Sequence, residues 1–328
     1  MLDEKTIKQY SEYLTFRSFY TGFEEISTPE TKLNSIDEID SYIHNRLKGL
    51  KNSAILISSG MDSANLLPHM PKDCTAYTIL HENEEFNEVD VAKSYCDKFN
   101  IRHKAIKIKE KEYLDSIDSL MIRKKMPLSP AEPIFYLAAK KIKEDGHENI
   151  VTGGGADSKI GGFPRFRGDY SAKELEKCYR RKYLNPEKVL VNGTNIKHVL
   201  NSFTVKFSSK IDTRQFLRDI GVERFAFNNA IEAANCKHIS PFAEFIFDFD
   251  EQLNNENPKY VLRALFKKYY DMDALKKFGM QKPSTLLPYF IPTNSIFDNL
   301  EYYKLNYPQK FLLHSLDRFH SLKLKGVV

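Results

Sequence analysis

A short apolar run, Ala54-Ile55-Leu56-Ile57, ends on Ser58-Ser59-Gly60 and gives way to Met61-Asp62-Ser63-Ala64-Asn65-Leu66-Leu67. The run has the length of a buried strand, and the pattern after the glycine turns helical, so the stretch reads as a strand, a tight loop and a helix start. Such a loop suits an anion. Small residues let a phosphate approach the main chain, and the first N–H groups of the following helix are unpaired at the positive end of its dipole. Ser58 and Ser63 add hydroxyl donors, whereas Asp62 cannot take a phosphate itself but can hold the Mg2+ that travels with one. The other reading is an ordinary strand-to-helix turn that only redirects the chain.

The loop ends in no Gly-Lys-Ser/Thr, so it is not a Walker loop, and it lacks the spaced glycines of a dinucleotide fingerprint. It resembles the pyrophosphate loop Ser-Gly-Gly-x-Asp-Ser of the ATP pyrophosphatases (PP-loop enzymes), with Ser59 in place of the second residue's glycine.

The 328 residues are enough for one large or two ordinary domains, and 41% hydrophobic with 28% charged residues is the composition of a globular protein. No apolar run approaches the ~20 residues that span a bilayer, and Met1-Leu2-Asp3-Glu4-Lys5 carries no signal-peptide core, so a cytoplasmic protein without a membrane partner is expected. Cys74, Cys96, Cys178 and Cys236 are dispersed, which argues against zinc, iron-sulfur or redox chemistry and for reduced structural thiols. A formal charge of +5 permits a polyanionic partner without demanding one.

Helices are expected over Ile36–Leu50, around Val89–Phe99, over Tyr113–Ile122 and over Pro133–Glu144, and strands over Thr75–Leu80, His103–Ile108 and Asn149–Thr152. Strand and helix alternate, which predicts an α/β fold with a parallel sheet flanked by helices and ligands at the carboxyl ends of its strands. From about Phe163 the pattern becomes mostly helical, with helices expected at Ala172–Lys182, Asp212–Leu217, Glu223–Ala234, Phe242–Leu253, Lys259–Tyr270 and Leu312–Leu322. The domain reading is an N-terminal linker or helical segment at 1–50, an ATP-binding α/β domain at 51–163 and a helical substrate or lid lobe at 164–328.

A second glycine turn follows the strand Ile150-Val151-Thr152: Gly153-Gly154-Gly155-Ala156-Asp157-Ser158-Lys159-Ile160-Gly161-Gly162-Phe163. Three glycines at a strand end imply close approach of another backbone or of a ligand. With Asp62 and Asp157 each just past a strand, two carboxylates can meet at one magnesium ion.

Thr152–Phe163 is similar to the Ser-Gly-Glu-Gly-Ala/Ser-Asp-Glu and Phe-Gly-Gly-Tyr line of the synthetase domain of asparagine synthetases. Pro133-Ile134-Phe135-Tyr136-Leu137, Ser240-Pro241-Phe242-Ala243-Glu244, Tyr260-Val261-Leu262-Arg263 and Lys277-Phe278-Gly279-Met280-Gln281-Lys282-Pro283 resemble further family segments and occur in family order over roughly 36–290. The resemblance implies a Rossmann-like adenine nucleotide α-hydrolase (HUP) sheet with a mostly helical C-terminal lobe, and ATP and Mg2+ as cofactors. Tyr13-Leu14-Thr15-Phe16-Arg17 is similar to the junction preceding this domain in full-length members. No glutaminase half precedes it and no Cys follows Met1, so nitrogen is expected from ammonia, a separate glutaminase subunit, or an amine on the substrate.

The resemblance further implies roles. Asp62 and Asp157 would hold Mg2+, and Ser58, Ser59, Gly60, Met61 and Ser63, with Gly153 and Gly154, would bind the pyrophosphate. Ile57 and Ile79 would pack on adenine, although as plain core residues they would look the same. Lys277 would stabilise the transferring phosphates as a point charge, with Asp62 the second catalytic residue. Arg165, Arg167 and Lys282 are candidates for an anionic substrate, against the reading of a surface loop; Glu244 is read as a capping or pairing residue. Gly154 stands where the family has a glutamate, Ser158 where it has a second acid, and Ile239 where it has an arginine. The expected reaction is therefore adenylation of a carboxylate other than aspartate, with loss of pyrophosphate and displacement of AMP by ammonia or an amine. Two rivals are a tRNA-modifying PP-loop ligase, which would add a nucleic-acid partner, and a regulatory nucleotide-binding subunit without catalysis.

Overall fold

The computed structural model describes residues 2–21, 31–81, 88–162, 170–171, 173–175, 184–203, 210–211, 216, 226–275, 292–293, 296–298 and 304–328. Nine strands are named in chain order: β1 (Thr31–Leu33), β2 (Ser53–Leu56), β3 (Thr75–His81), β4 (Arg102–Ile108), β5 (Asn149–Val151), β6 (Tyr170–Ser171), β7 (Lys210–Ile211), β8 (Lys237–Ile239) and β9 (Phe245–Phe247). The central sheet has the order β4-β3-β2-β5-β8, every pair parallel. From β2 the chain builds outward through β3 and β4, then returns to place β5 on the other side of β2. That reversal opens a crevice at the carboxyl ends of β2 and β5, where open parallel sheets bind ligands.

Side-chain alternation sends the two faces of the sheet into separate cores. Ala54, Leu56, Tyr77, Ile106 and Ile150 face one, packed with the helices Glu4–Phe16, Glu132–Glu144 and Tyr307–Leu324. Ile55, Ile57, Ala76, Val151 and Ile239 face the other, packed with Ile36–Leu47, Val89–Lys98 and Tyr260–Tyr270. The parallel sheet flanked by helices is as expected, and the helices at 36–50 and 133–144 are found within a few residues of their expected bounds. The helix Glu4–Phe16 is pinned through Glu12, whose buried carboxylate accepts from the Tyr20 and Thr21 N–H groups and pairs with His198 at 2.7 Å.

Three expectations are corrected. The helix at 113–122 is two helices, Glu110–Asp115 and Ile117–Lys124, parted where the Ser116 hydroxyl donates to the Tyr113 carbonyl. The helix at 242–253 is instead a 3-10 turn at Pro241–Ala243, strand β9 and a short helix Glu251–Glu256 capped by Asp250. Strand β8 lies inside the stretch read as mostly helical. Three residues are too few to display a period, so it closes the sheet without a sequence signal. Strand β9 pairs in parallel with β1 in a small second sheet, and β6 pairs with β7. The helices expected at 172–182 and 212–217 fall mostly outside the described residues.

Candidate active site

The loop after β2 is held by its own serines. The Ser58 N–H donates to Ser63 Oγ (3.2 Å), the Gly60 N–H to Ser58 Oγ (3.2 Å), and Ser63 Oγ to the Gly60 carbonyl (3.4 Å). The helix Met61–Ala64 begins on Gly60, which offers no side-chain cap. Ser59, at the family's glycine, donates from Oγ to Glu88 Oε1 (2.8 Å), so this departure fastens the loop to the segment entering the helix Val89–Lys98.

The turn after β5 leans directly on this loop. A Cβ on Gly153 would stand 2.9 Å from the Ser63 nitrogen and 3.0 Å from the Asp62 carbonyl carbon, so only glycine lets the two backbones meet. Close approach of another backbone is thus one use of the triple glycine. The turn then places Asp157 in the short helix Ala156–Lys159, opposite Asp62.

Between the two carboxylates stands a residue the sequence reading did not single out. Lys259 Nζ lies 2.7 and 2.8 Å from the two Asp62 oxygens and 2.6 Å from Asp157 Oδ1. Its side chain is 8% exposed, against 13% for Asp62 and 44% for Asp157, so the cluster opens to solvent on the Asp157 side. Lys259 sits in the left-handed region (φ 59°) just before the helix Tyr260–Tyr270, and its N–H donates to Asn254 Oδ1 (2.8 Å). Asn254 in turn donates to the Gly161 carbonyl (3.1 Å), and a Cβ on Gly162 would overlap both Asp157 Oδ1 and Lys259 Cε. In the sequence Lys259 is only the first residue of an expected helix, next to Asn257-Pro258; Asn254 and the Gly161-Gly162 pair acquire their meaning when the chain closes on itself.

Around Gly154 lies a polar cluster without acids. Its N–H donates to Thr152 Oγ1 (3.3 Å), its carbonyl accepts from Ser240 Oγ (2.7 Å), and Thr152 Oγ1 meets His238 Nε2 at 2.8 Å. His238 also bonds Asn228 through Nδ1 and stacks on Phe227; burial pushes its pKa down to about 4, so it is neutral at physiological pH. Glu244 pairs with Arg46 at 2.6 and 3.0 Å and accepts from Tyr42, in line with a pairing role. Ile57 and Ile79 belong to opposite faces of the sheet. Lys277, Lys282, Arg165 and Arg167 lie outside the described residues.

Asp62 and Asp157 fit a hard cation: three carboxylate oxygens already converge on one positive atom at 2.6 to 2.8 Å. Among the described residues no group of three His, Cys, Asp or Glu side chains could hold a metal.

The asparagine synthase family model matches residues 37–229, well over half of the chain, including both aspartate turns. The chain belongs to the asparagine synthase family. Asparagine synthetase [glutamine-hydrolyzing] 1 of Bacillus subtilis is 25% identical over 200 residues, 57% of this chain and 31% of that protein. A putative asparagine synthetase [glutamine-hydrolyzing] 1 of Methanocaldococcus jannaschii is 26% identical over 213 residues, 56% of this chain and 38% of that one. The chain thus spans about a third of the length of these curated relatives. Among solved structures, an NH3-dependent NAD synthetase from Campylobacter jejuni is similar at 14% identity and a TM-score of 0.28, covering 89% of this chain and 94% of that one. A U34-tRNA thiolase from Methanococcus maripaludis stands at 15% and 0.29, covering 75% and 83%. Likenesses this distant carry no argument, and the fold stands on the family and on the five-stranded parallel sheet itself. No helix among the described residues is long and apolar enough to cross a membrane.

Proposed function

We propose that this member of the asparagine synthase family is an ATP- and Mg2+-dependent amide-forming ligase. It adenylates a carboxylate, releases pyrophosphate, and lets ammonia or an amine displace AMP. The observation that carries this reading is the convergence of Asp62 and Asp157 on one cation position at the carboxyl ends of adjacent strands, beside the serine-rich loop. Ser58, Ser59, Gly60, Met61 and Ser63 would cradle the pyrophosphate, with Gly153 and Gly154 shaping the opposite wall. Asp62 and Asp157 would hold magnesium, which when bound neutralises charge on the leaving pyrophosphate. Lys277 would supply a further positive charge at the phosphates, and Arg165, Arg167 and Lys282 would bind an anionic part of the substrate. No protein nucleophile is required; positioning and electrostatic stabilisation suffice.

The acid is proposed to be other than aspartate. The Gly154 surroundings are hydroxyls, a neutral imidazole and an aromatic ring, where the family places a glutamate. Nitrogen would come from ammonia, an amine, or a separate glutaminase subunit.

The test is incubation with ATP, Mg2+ and ammonia against a panel of carboxylates, reading AMP and pyrophosphate by mass spectrometry, with Asp62→Ala as control. AMP that requires a particular acid and vanishes in the control supports the ligase and identifies its acid. Strong aspartate-dependent pyrophosphate release overturns the substrate assignment. ATP binding with no AMP under any acid, amine or tRNA overturns the ligase in favour of a regulatory nucleotide-binding subunit.

A further inference from the structure

The cluster at the strand ends is built around one ammonium. Two carboxylates share one ammonium, the ammonium is the most buried of the three side chains, and it occupies the point on which the carboxylate oxygens converge. Its position is built rather than accidental: the left-handed backbone at Lys259, the Asn254 amide that fixes its N–H, and the bare Gly162 that leaves room for its Cε all serve to hold Nζ there.

We propose that Lys259 is the resident cation of this site, holding Asp62 and Asp157 together in the nucleotide-free protein and making divalent-cation binding contingent on the arrival of a nucleotide. The inference rests on the reading of Asp62 and Asp157 as the metal ligands. A bare divalent ion would have to evict an ammonium with three short carboxylate contacts from a largely buried position and strand its charge, in exchange for the same two carboxylates. Triphosphate oxygens change that balance. They supply the metal with ligands and give the displaced ammonium new acceptors, so one positive charge is exchanged for another without either being left bare. The lysine is a positioning residue: it keeps two like charges poised a few ångströms apart and blocks empty-site metal binding.

The probe is Mn2+, followed by the loss of its free-ion electron paramagnetic resonance signal in the absence of nucleotide. Wild-type protein is expected to take up no stoichiometric Mn2+ in the micromolar range, whereas Lys259→Met binds one ion per chain at least about tenfold more tightly. The gain should disappear in Lys259→Met/Asp157→Asn, which ties it to the carboxylate pair. With an α,β-methylene ATP analogue present, wild type should acquire a protein-bound Mn2+ signal distinct from that of the Mn2+–nucleotide complex alone. The proposal is overturned if nucleotide-free wild type binds Mn2+ as tightly as the variant, or if the gain survives in the double variant. The wild-type titration decides even if Lys259→Met does not fold, since tight nucleotide-free binding alone overturns it. Failure of the ligase reading shows separately, as absence of AMP with every acid, and leaves the metal titration readable.

Discussion

Lys124 and Lys259 each meet carboxylates with a largely buried side chain, and they are not equivalent. Lys124 Nζ lies 2.5 Å from Glu132 Oε1, and the fully buried Glu132 carboxylate also accepts from the Ser129 N–H and the Asn229 amide, each at 2.7 Å. One charge meets one charge, and neutral donors fill the remaining positions, so the cluster is closed. At Lys259 one ammonium faces two carboxylates, one of them 44% exposed, at the mouth of the sheet. Access separates a pair that braces the fold from one poised for a ligand. Burial alone would have ranked Lys124 and Glu132 as the more notable, since burial drives the Glu132 carboxyl upward against the pull of Lys124.

The difference can be broken from either side. Lys124→Met leaves the Glu132 carboxylate buried without its counter-charge, and is expected to lower stability by about 3–5 kcal/mol, read by denaturant unfolding. Asp62→Asn is the converse. Lys259 keeps Asp157 as a counter-charge, and the stability loss should stay near ~1 kcal/mol. In the AMP-forming assay the same variant should lose on the order of 10²–10³ in rate. An Asp62→Asn protein as destabilised as Lys124→Met would erase the distinction.

Gly153→Ala probes the contact between the two turns rather than their charges. Its Cβ would meet the backbone at Ser63 and Asp62, which cannot swing aside as a side chain could. The expected cost is about 1–3 kcal/mol, with a loss of nucleotide affinity because the loop itself must shift. A variant with wild-type melting temperature and affinity would show that the turns are free to separate.

Acid should discriminate the histidines. Burial pushes both His238 and His314 down to about 4 from the ordinary 6.5. As pH falls from 6.5 toward 4 the unfolded chain binds protons that the folded chain refuses, so these groups cost stability across that window and nothing more once both states are protonated. The melting temperature of wild type should therefore fall more steeply over this range than that of His238→Gln/His314→Gln, by a few degrees. Parallel curves would mean that neither ring is excluded from water.

How much of this was legible in the chain follows from the range of the signals. The strand before Ser58 and the triple glycine after Thr152 are local patterns, and they located each aspartate just past a strand end; that the two strands are neighbours is seen only in the sheet. Lys259 is some 200 residues from Asp62, and its identity as a site residue depends on a left-handed φ and on Asn254, which no periodicity announces. Strand β8 was hidden for a related reason: only Ile239 of its three residues is buried, so it becomes a strand through the edge offered by β5. Ile57 and Ile79, given to adenine through the family resemblance, pack against opposite faces of the sheet, a placement set by strand parity that the two isolated positions do not display.

The smallest expected effect is at Gly154, and it sharpens the substrate assignment. A Cβ there would lie 3.1 Å from Ser240 Oγ and 3.2 Å from Thr152 Oγ1, both ends of side chains that can yield by a few tenths of an ångström. Gly154→Ala is therefore expected to cost no more than about 1 kcal/mol, by weakening the Ser240 and Thr152 hydrogen bonds to the Gly154 backbone. Gly154→Glu is different in kind. The carboxylate would enter a cluster whose hydroxyls already bond the Gly154 carbonyl and His238, leaving it few donors unless it protonates His238, which burial opposes. Restoring the family's residue at this one position should thus not create aspartate-dependent AMP formation. If Gly154→Glu did turn over aspartate, the surrounding hydroxyls and imidazole would be permissive, and the choice of acid would rest on position 154 alone.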